Sequence, residues 1–132
     1  MSSISLGALA LFFIVAGAMH FITPTPYLAI MPSYIPWHAA LVALSGVAEI
    51  LGGLGVCFRS TRRMAGWFLI ALLIAVFPAN IHAISTGMVL GGHDLPRWVL
   101  WARLAFQPLF IVWVYRVCLS RKACPLQTTR AA

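Results

Sequence analysis

The chain has 132 residues, of which 62% are apolar and only 8% charged, and its net charge is +7. A soluble domain carries roughly 25% charged residues, and a single small domain has too little interior to hide this much apolar surface, so part of the solvent must be hydrocarbon. The positive charge does not point to nucleic acid, because the Lys and Arg residues fall mainly in short spacers between apolar runs and form no water-facing patch.

A hydrocarbon core about 30 Å thick needs roughly 17–25 apolar residues per helix, and four runs qualify. The first, 5–22, ends at the helix-breaking Thr23-Pro24-Thr25-Pro26. No Lys or Arg precedes it and TPTP is not a typical cleavage site, so it is expected to be a span rather than a cleaved signal. YLAIMPSYIPW then reads as a short re-entrant or interfacial piece. The second run, 37–58, and the third, 64–86, are joined by RSTRR as a tight helical hairpin, with Pro78 a possible kink in the third. The fourth covers 98–119, and 120–132 is a basic tail. The expected fold is all-α: a polytopic membrane protein, a four-transmembrane-helix bundle in one domain spanning 1–132.

Charge sets the expected orientation. Arg59, Arg62 and Arg63 lie between the second and third spans, and Arg116, Arg121, Lys122 and Arg130 cluster at or beyond the end of the fourth. The other side has Arg97, offset by Asp94. The positive-inside rule puts both termini and RSTRR in the cytoplasm, with the basic tail fixing topology and attracting anionic lipid. Tyr27, Tyr34, Trp37, Trp98 and Trp101 gather on the outer side as an aromatic belt.

Each span carries costly polar residues: His20 in the first, Glu49 in the second, Asn80 and His82 in the third, Arg103 and Gln107 in the fourth. A charge at a helix centre costs about 2.5–3.5 kcal/mol on insertion scales, so such residues face the bundle and find partners. At 1.5 Å rise per residue, Glu49 lies roughly 16–18 Å below the outer end of its helix, Arg103 about 8 Å and Gln107 about 14 Å. Ser45, Glu49 and Gly53 are spaced by four, with Gly52 adjacent, so Glu49 sits in a small-residue stripe that lets helices approach. Ala16 and Gly17 offer the same surface below His20. Asn80 and His82 point about 200° apart; Asn80 is expected inward and His82 toward the interface. The expected arrangement is a Glu49–Arg103 bridge, with His20, Asn80 and Gln107 completing a buried polar cluster.

Other chemistries find little support. Cys57, Cys118 and Cys124 form no CxxC pair or metal-ligand spacing. The close spacings among His20, His38, His82 and His93 do not match i, i+4 ligation, so no metal is expected. The glycines of GGLG lack the Lys and Ser/Thr of a phosphate loop. Ser45 and Ser85 have no carboxylate–histidine pair at a recognisable spacing.

AGAMHF at 16–21, PTPYLAIMPSYIPWH at 24–38, SGVAEILGG at 45–53, TRRMAGW at 61–67, AVFPANIHA at 75–83 and RLAFQPLFIVW at 103–113 together resemble the DoxX-like family of small bacterial integral membrane proteins. The resemblance spans nearly all of 10–115. It departs from the family's Arg-Leu-Pro-x-Gln pattern at Ala105, with Pro108 following Gln107 instead. It implies a four-helix bundle in the bacterial inner membrane and a redox-linked accessory role, since relatives in the wider group are associated with thiosulfate:quinone oxidoreduction, methylamine dehydrogenase maturation and oxidative-stress complexes. Such likeness at the level of fold does not transfer a reaction.

Several roles stay open. The cluster is either a structural clamp that fixes helix register or a site for a proton, a quinone headgroup or another small polar ligand. The functional expectation is a non-catalytic accessory subunit of a redox or stress-related membrane system, with a membrane redox subunit as partner and quinone as the candidate ligand. The alternative is a small proton-coupled transporter or permeation unit using Glu49; an enzyme with its own quinone chemistry is least favoured. The bundle suffices as a monomer, and exposed small-residue stripes would equally serve a homodimer.

Overall fold

The computed structural model of the protein describes residues 3–120. The elements run α1 (Ser3–Ile22), α2 (Thr25–Ala29), α3 (His38–Cys57), α4 (Arg62–Ala75), α5 (Phe77–Thr86), β1 (Val89–Leu90), β2 (His93–Asp94) and α6 (Arg97–Val114), which runs on into a π-helical turn, Tyr115–Leu119. Among the described residues four helical stretches are long and apolar enough to cross a bilayer: Ser3–Ile22, His38–Cys57, Arg62–Thr86 and Arg97–Leu119. Twenty residues of helix reach about 30 Å, the thickness of a hydrocarbon core. Leu11, Val15, Leu44, Leu51, Trp67 and Leu109 are all exposed on the outside of the bundle. That pattern is stable only where the surroundings are apolar. The chain is an all-α, multi-pass membrane protein.

The interior is divided. Leu9, Phe13, Val56, Leu69, Val114 and Val117 form a buried cluster toward the end of the bundle that carries the arginine-rich turn. Ile30, Ala83, Met88 and Leu100 form a second one at the opposite end, beneath the loops. Polar side chains lie between them by position: along α6, Leu100 is followed by Arg103 and Gln107 before Val114 is reached.

α1 and α3 pack most closely, and small residues are the reason. A Cβ added at Gly46 would lie 2.8 Å from the His20 Cβ and 2.9 Å from the Gly17 carbonyl oxygen; one at Gly53 would lie 2.9 Å from the Ala10 carbonyl oxygen. Only hydrogen at these positions allows the two backbones to touch.

Three features refine the expected spans. The third is not continuous: α4 ends at Ala75 and α5 begins at Phe77, with Pro78 in its first turn. Proline has no N–H to give and its ring crowds the carbonyl four residues back, so the helix breaks there. α6, by contrast, passes through Pro108, and the irregularity falls later, in the π-helical turn. The stretch after α5 contains a hairpin in which Val89 pairs with Asp94 and Leu90 with His93. Its two-residue turn, Gly91-Gly92, has φ of 60° and 83°, the backbone that a tight hairpin demands and glycine supplies. The dipeptide GG between VL and HD was the legible signal.

The turn RSTRR does more than carry charge. Arg62 Nε donates to the Val56 carbonyl at 2.9 Å and Thr61 Oγ1 to that of Gly55 at 2.8 Å, covering the last carbonyls of α3. At the same end, Trp113 Nε1 donates to Ser5 Oγ at 3.0 Å and ties α6 to the start of α1. The basic tail, with Arg121, Lys122, Cys124 and Arg130, lies outside the described residues apart from Ser120.

Candidate functional site

His20 lies on the last turn of α1, where Nδ1 donates to the Ala16 carbonyl at 3.0 Å, one turn back in the same helix. The close approach at Gly17 and Gly46 brings its ring against α3, and Nδ1 stands 3.7 Å from Glu49 Oε2. Nδ1 therefore carries a proton, which it gives to the Ala16 carbonyl, and the Glu49 carboxyl stands beyond hydrogen-bonding distance of it. Glu49 Oε2 is fully buried and has no hydrogen-bond partner among the described residues. A buried acceptor left in this way costs about 1–3 kcal/mol.

The expected bridge to Arg103 is not formed. Arg103 Nη2 donates to Asn80 Oδ1 at 3.4 Å and Nη1 points at Met88 Sδ at 3.2 Å. Glu49 is faced instead by His20. The reason lies in the helix break before Pro78. It turns α5 so that Asn80 faces α6, and the amide there takes up the guanidinium that rise and spacing alone had assigned to Glu49.

Asn80 and Gln107 make the second half of the cluster. Asn80 Nδ2 donates to Gln107 Oε1 at 3.0 Å, and Gln107 Nε2 donates to the Leu73 carbonyl. Leu73 lies in the last turn of α4, where carbonyls lose their intrahelical partners at the break. Gln107, 4% exposed, therefore gives the Leu73 carbonyl a donor at the break between α4 and α5. His82 points away, as its spacing from Asn80 requires, and its Nδ1 donates to the Ile30 carbonyl at 3.2 Å. His38 Nε2 likewise donates to the Pro32 carbonyl at 3.1 Å.

The five residues singled out from the sequence thus fall into two groups: His20 with Glu49 between α1 and α3, and Arg103 with Asn80 and Gln107 between α5 and α6. Two further residues belong with them. The Tyr27 ring stacks on His20 with centroids 3.9 Å apart and planes 20° from parallel. Expected in the aromatic belt, it instead folds inward because α2 turns back over the end of α1. Burial pushes its phenol above the usual tyrosine range; the Arg103 charge opposes the shift and the Glu49 carboxylate adds to it. Tyr34, Trp37, Trp98 and Trp101 do lie exposed on the surface at that end. The other addition is Met88, whose sulfur meets Arg103; nothing in GMVLGG marked it. Among the described residues no group of three or more His, Cys, Asp or Glu side chains comes together as a metal site.

The fold and this cluster define a small multi-pass membrane protein with ionisable side chains held between its helices. The chain belongs to the family described as a domain of unknown function, DUF8561, whose model matches residues 9–118. No curated protein and no solved structure matches it.

Proposed function

We propose that the protein is a non-catalytic accessory subunit of a redox or stress-related system of the bacterial inner membrane, and that it holds the polar head of a lipophilic ligand, of which a quinone is the leading candidate, at the His20–Tyr27–Glu49–Arg103 cluster. One observation carries this reading: a buried Glu49 carboxyl oxygen with no hydrogen-bond partner among the described residues, 3.7 Å from a histidine on which Tyr27 stacks. A structural clamp satisfies its own acceptors; an acceptor left over is suited to a donor from outside. Arg103 and Glu49, not joined to each other, offer a ligand head a donor and an acceptor. The redox association is supported by the DoxX-like resemblance alone. Both termini and the arginine-rich turn are assigned to the cytoplasm on the distribution of Arg and Lys.

The test is a titration of the purified protein in lipid nanodiscs with short-chain quinones and quinols. Saturable binding that weakens by at least about tenfold in Glu49→Gln, the loss of one charge-assisted hydrogen bond, supports the assignment. Absence of saturation with every compound, and no stoichiometric membrane subunit copurifying, defeats it. The His20–Glu49 approach favours one second reading, a proton-coupled transporter in which this pair relays protons. Its signature is proton flux in liposomes that disappears in Glu49→Gln.

A further inference from the structure

Above the cluster, at the hairpin end, lies a cavity of about 310 Å³. Its rim is polar, formed by Ser85 and Thr86 from the end of α5 and by Asp94 and Arg97 before α6. Its floor is apolar: Met88 and Leu100 line it and are 3% and 2% exposed. Directly behind Met88 stands Arg103, with Nη1 3.2 Å from the thioether sulfur. Leu100 and Arg103 are three residues apart on α6, and Ile84 and Asn80 four apart on α5, so the cavity and the polar cluster are separated by about 4.5–6 Å of rise.

We propose that this cavity is the aqueous mouth of the buried cluster and that Met88 is the plug between them. The route admits water and small polar solutes that accept hydrogen bonds, because the first donor behind the plug is the Arg103 guanidinium. The side chain suits the task. Methionine is unbranched, turns about three bonds, and fills irregular space without a fixed shape. Its backbone lies at the base of the hairpin: Gly87 precedes it with φ of 79°, the Gly91-Gly92 turn follows, and the Leu95 N–H, donating to the Met88 carbonyl at 2.9 Å, continues the ladder one pair past Val89 and Asp94. The hydrogen bond from Arg103 to sulfur is weak, so a better acceptor arriving from the cavity displaces it. The inference goes beyond the lipophilic-ligand reading, since the route serves water-borne solutes, and its test does not depend on that reading.

Ala79, one residue before Asn80 on α5, packs against the apolar cluster that contains Met88. In a chain with Cys57, Cys118 and Cys124 replaced, Ala79→Cys is the reporter, assayed in nanodiscs with a charged, water-soluble methanethiosulfonate. The expected result is protection with Met88 in place, acceleration of at least about tenfold in Met88→Ala, and continued protection in Met88→Leu, which restores the volume. Leu90→Ala, on the hairpin away from the floor, leaves the rate unchanged. Should Met88→Ala not fold, Met88→Val opens a smaller hole and an acceleration of at least about threefold is expected. Equal rates with and without the methionine side chain, or acceleration confined to a lipid-soluble maleimide, overturn the proposal. If quinone binding still depends on Glu49 while the reporter stays protected throughout, the ligand site stands and this route does not.

Discussion

His20 and Glu49 face each other where α1 crosses α3, 3.7 Å apart between Nδ1 and Oε2, on helices brought together at Gly17 and Gly46. The polar contact exists because the glycines let the backbones meet. Gly46→Ala would set a Cβ 2.8 Å from that of His20 and 2.9 Å from the Gly17 carbonyl oxygen, neither of which can swing aside. Such overpacking costs about 1–3 kcal/mol, read as a lower thermal midpoint in detergent. Gly7→Ala, where an added Cβ meets nothing within 4 Å, is the control and should leave the midpoint in place.

Glu49→Gln separates a ligand site from a clamp without any ligand. Among the described residues its Oε2 makes no hydrogen bond that the amide could lose, and the amide is cheaper to keep in hydrocarbon. Folding stability, followed by unfolding in mixed micelles, should stay level or rise. A fall of more than about 1 kcal/mol, the worth of an ordinary hydrogen bond, would show that the carboxyl is holding the helices.

Asn80 and Gln107 behave in the opposite way. Gln107→Leu strands Asn80 Nδ2 and the Leu73 carbonyl together, and about 1–3 kcal/mol should be lost for each buried group left unpaired. A double-mutant cycle with Asn80→Ala should return a coupling of about 0.6–1.7 kcal/mol, the range of side-chain hydrogen bonds between membrane helices. A coupling near zero would mean that the two amides do not bond.

Tyr27 predicts alkaline behaviour. Burial raises its phenol above the ordinary 10.0, with Arg103 opposing and Glu49 adding to the effect. The folded state then holds the proton more tightly than the unfolded one, so stability is intact below pH 10 and falls as pH rises through the folded pKa. In the Tyr34→Phe, Tyr115→Phe chain, absorbance near 295 nm should report a single phenol titrating later than free tyrosine. Tyr27→Phe should remove the alkaline loss of stability; an unchanged profile would place the cause elsewhere.

Composition and hydrophobic runs were enough to specify a membrane protein of four spans, since the length of an apolar helix is dictated by the bilayer and not by its neighbours. They also marked His20, Glu49, Asn80, Arg103 and Gln107, because a polar residue within hydrocarbon is conspicuous in any sequence. Partner choice was a different matter. Depth and helical face allowed Glu49 to meet Arg103, yet the break before Pro78 gave Arg103 to Asn80, and the glycine crossing gave Glu49 to His20. Tyr27 and Met88 reach the cluster from loops, whose paths carry no periodicity to read. Pairing depends on the angles at which helices cross and bend, and those follow from contacts between residues far apart in the chain.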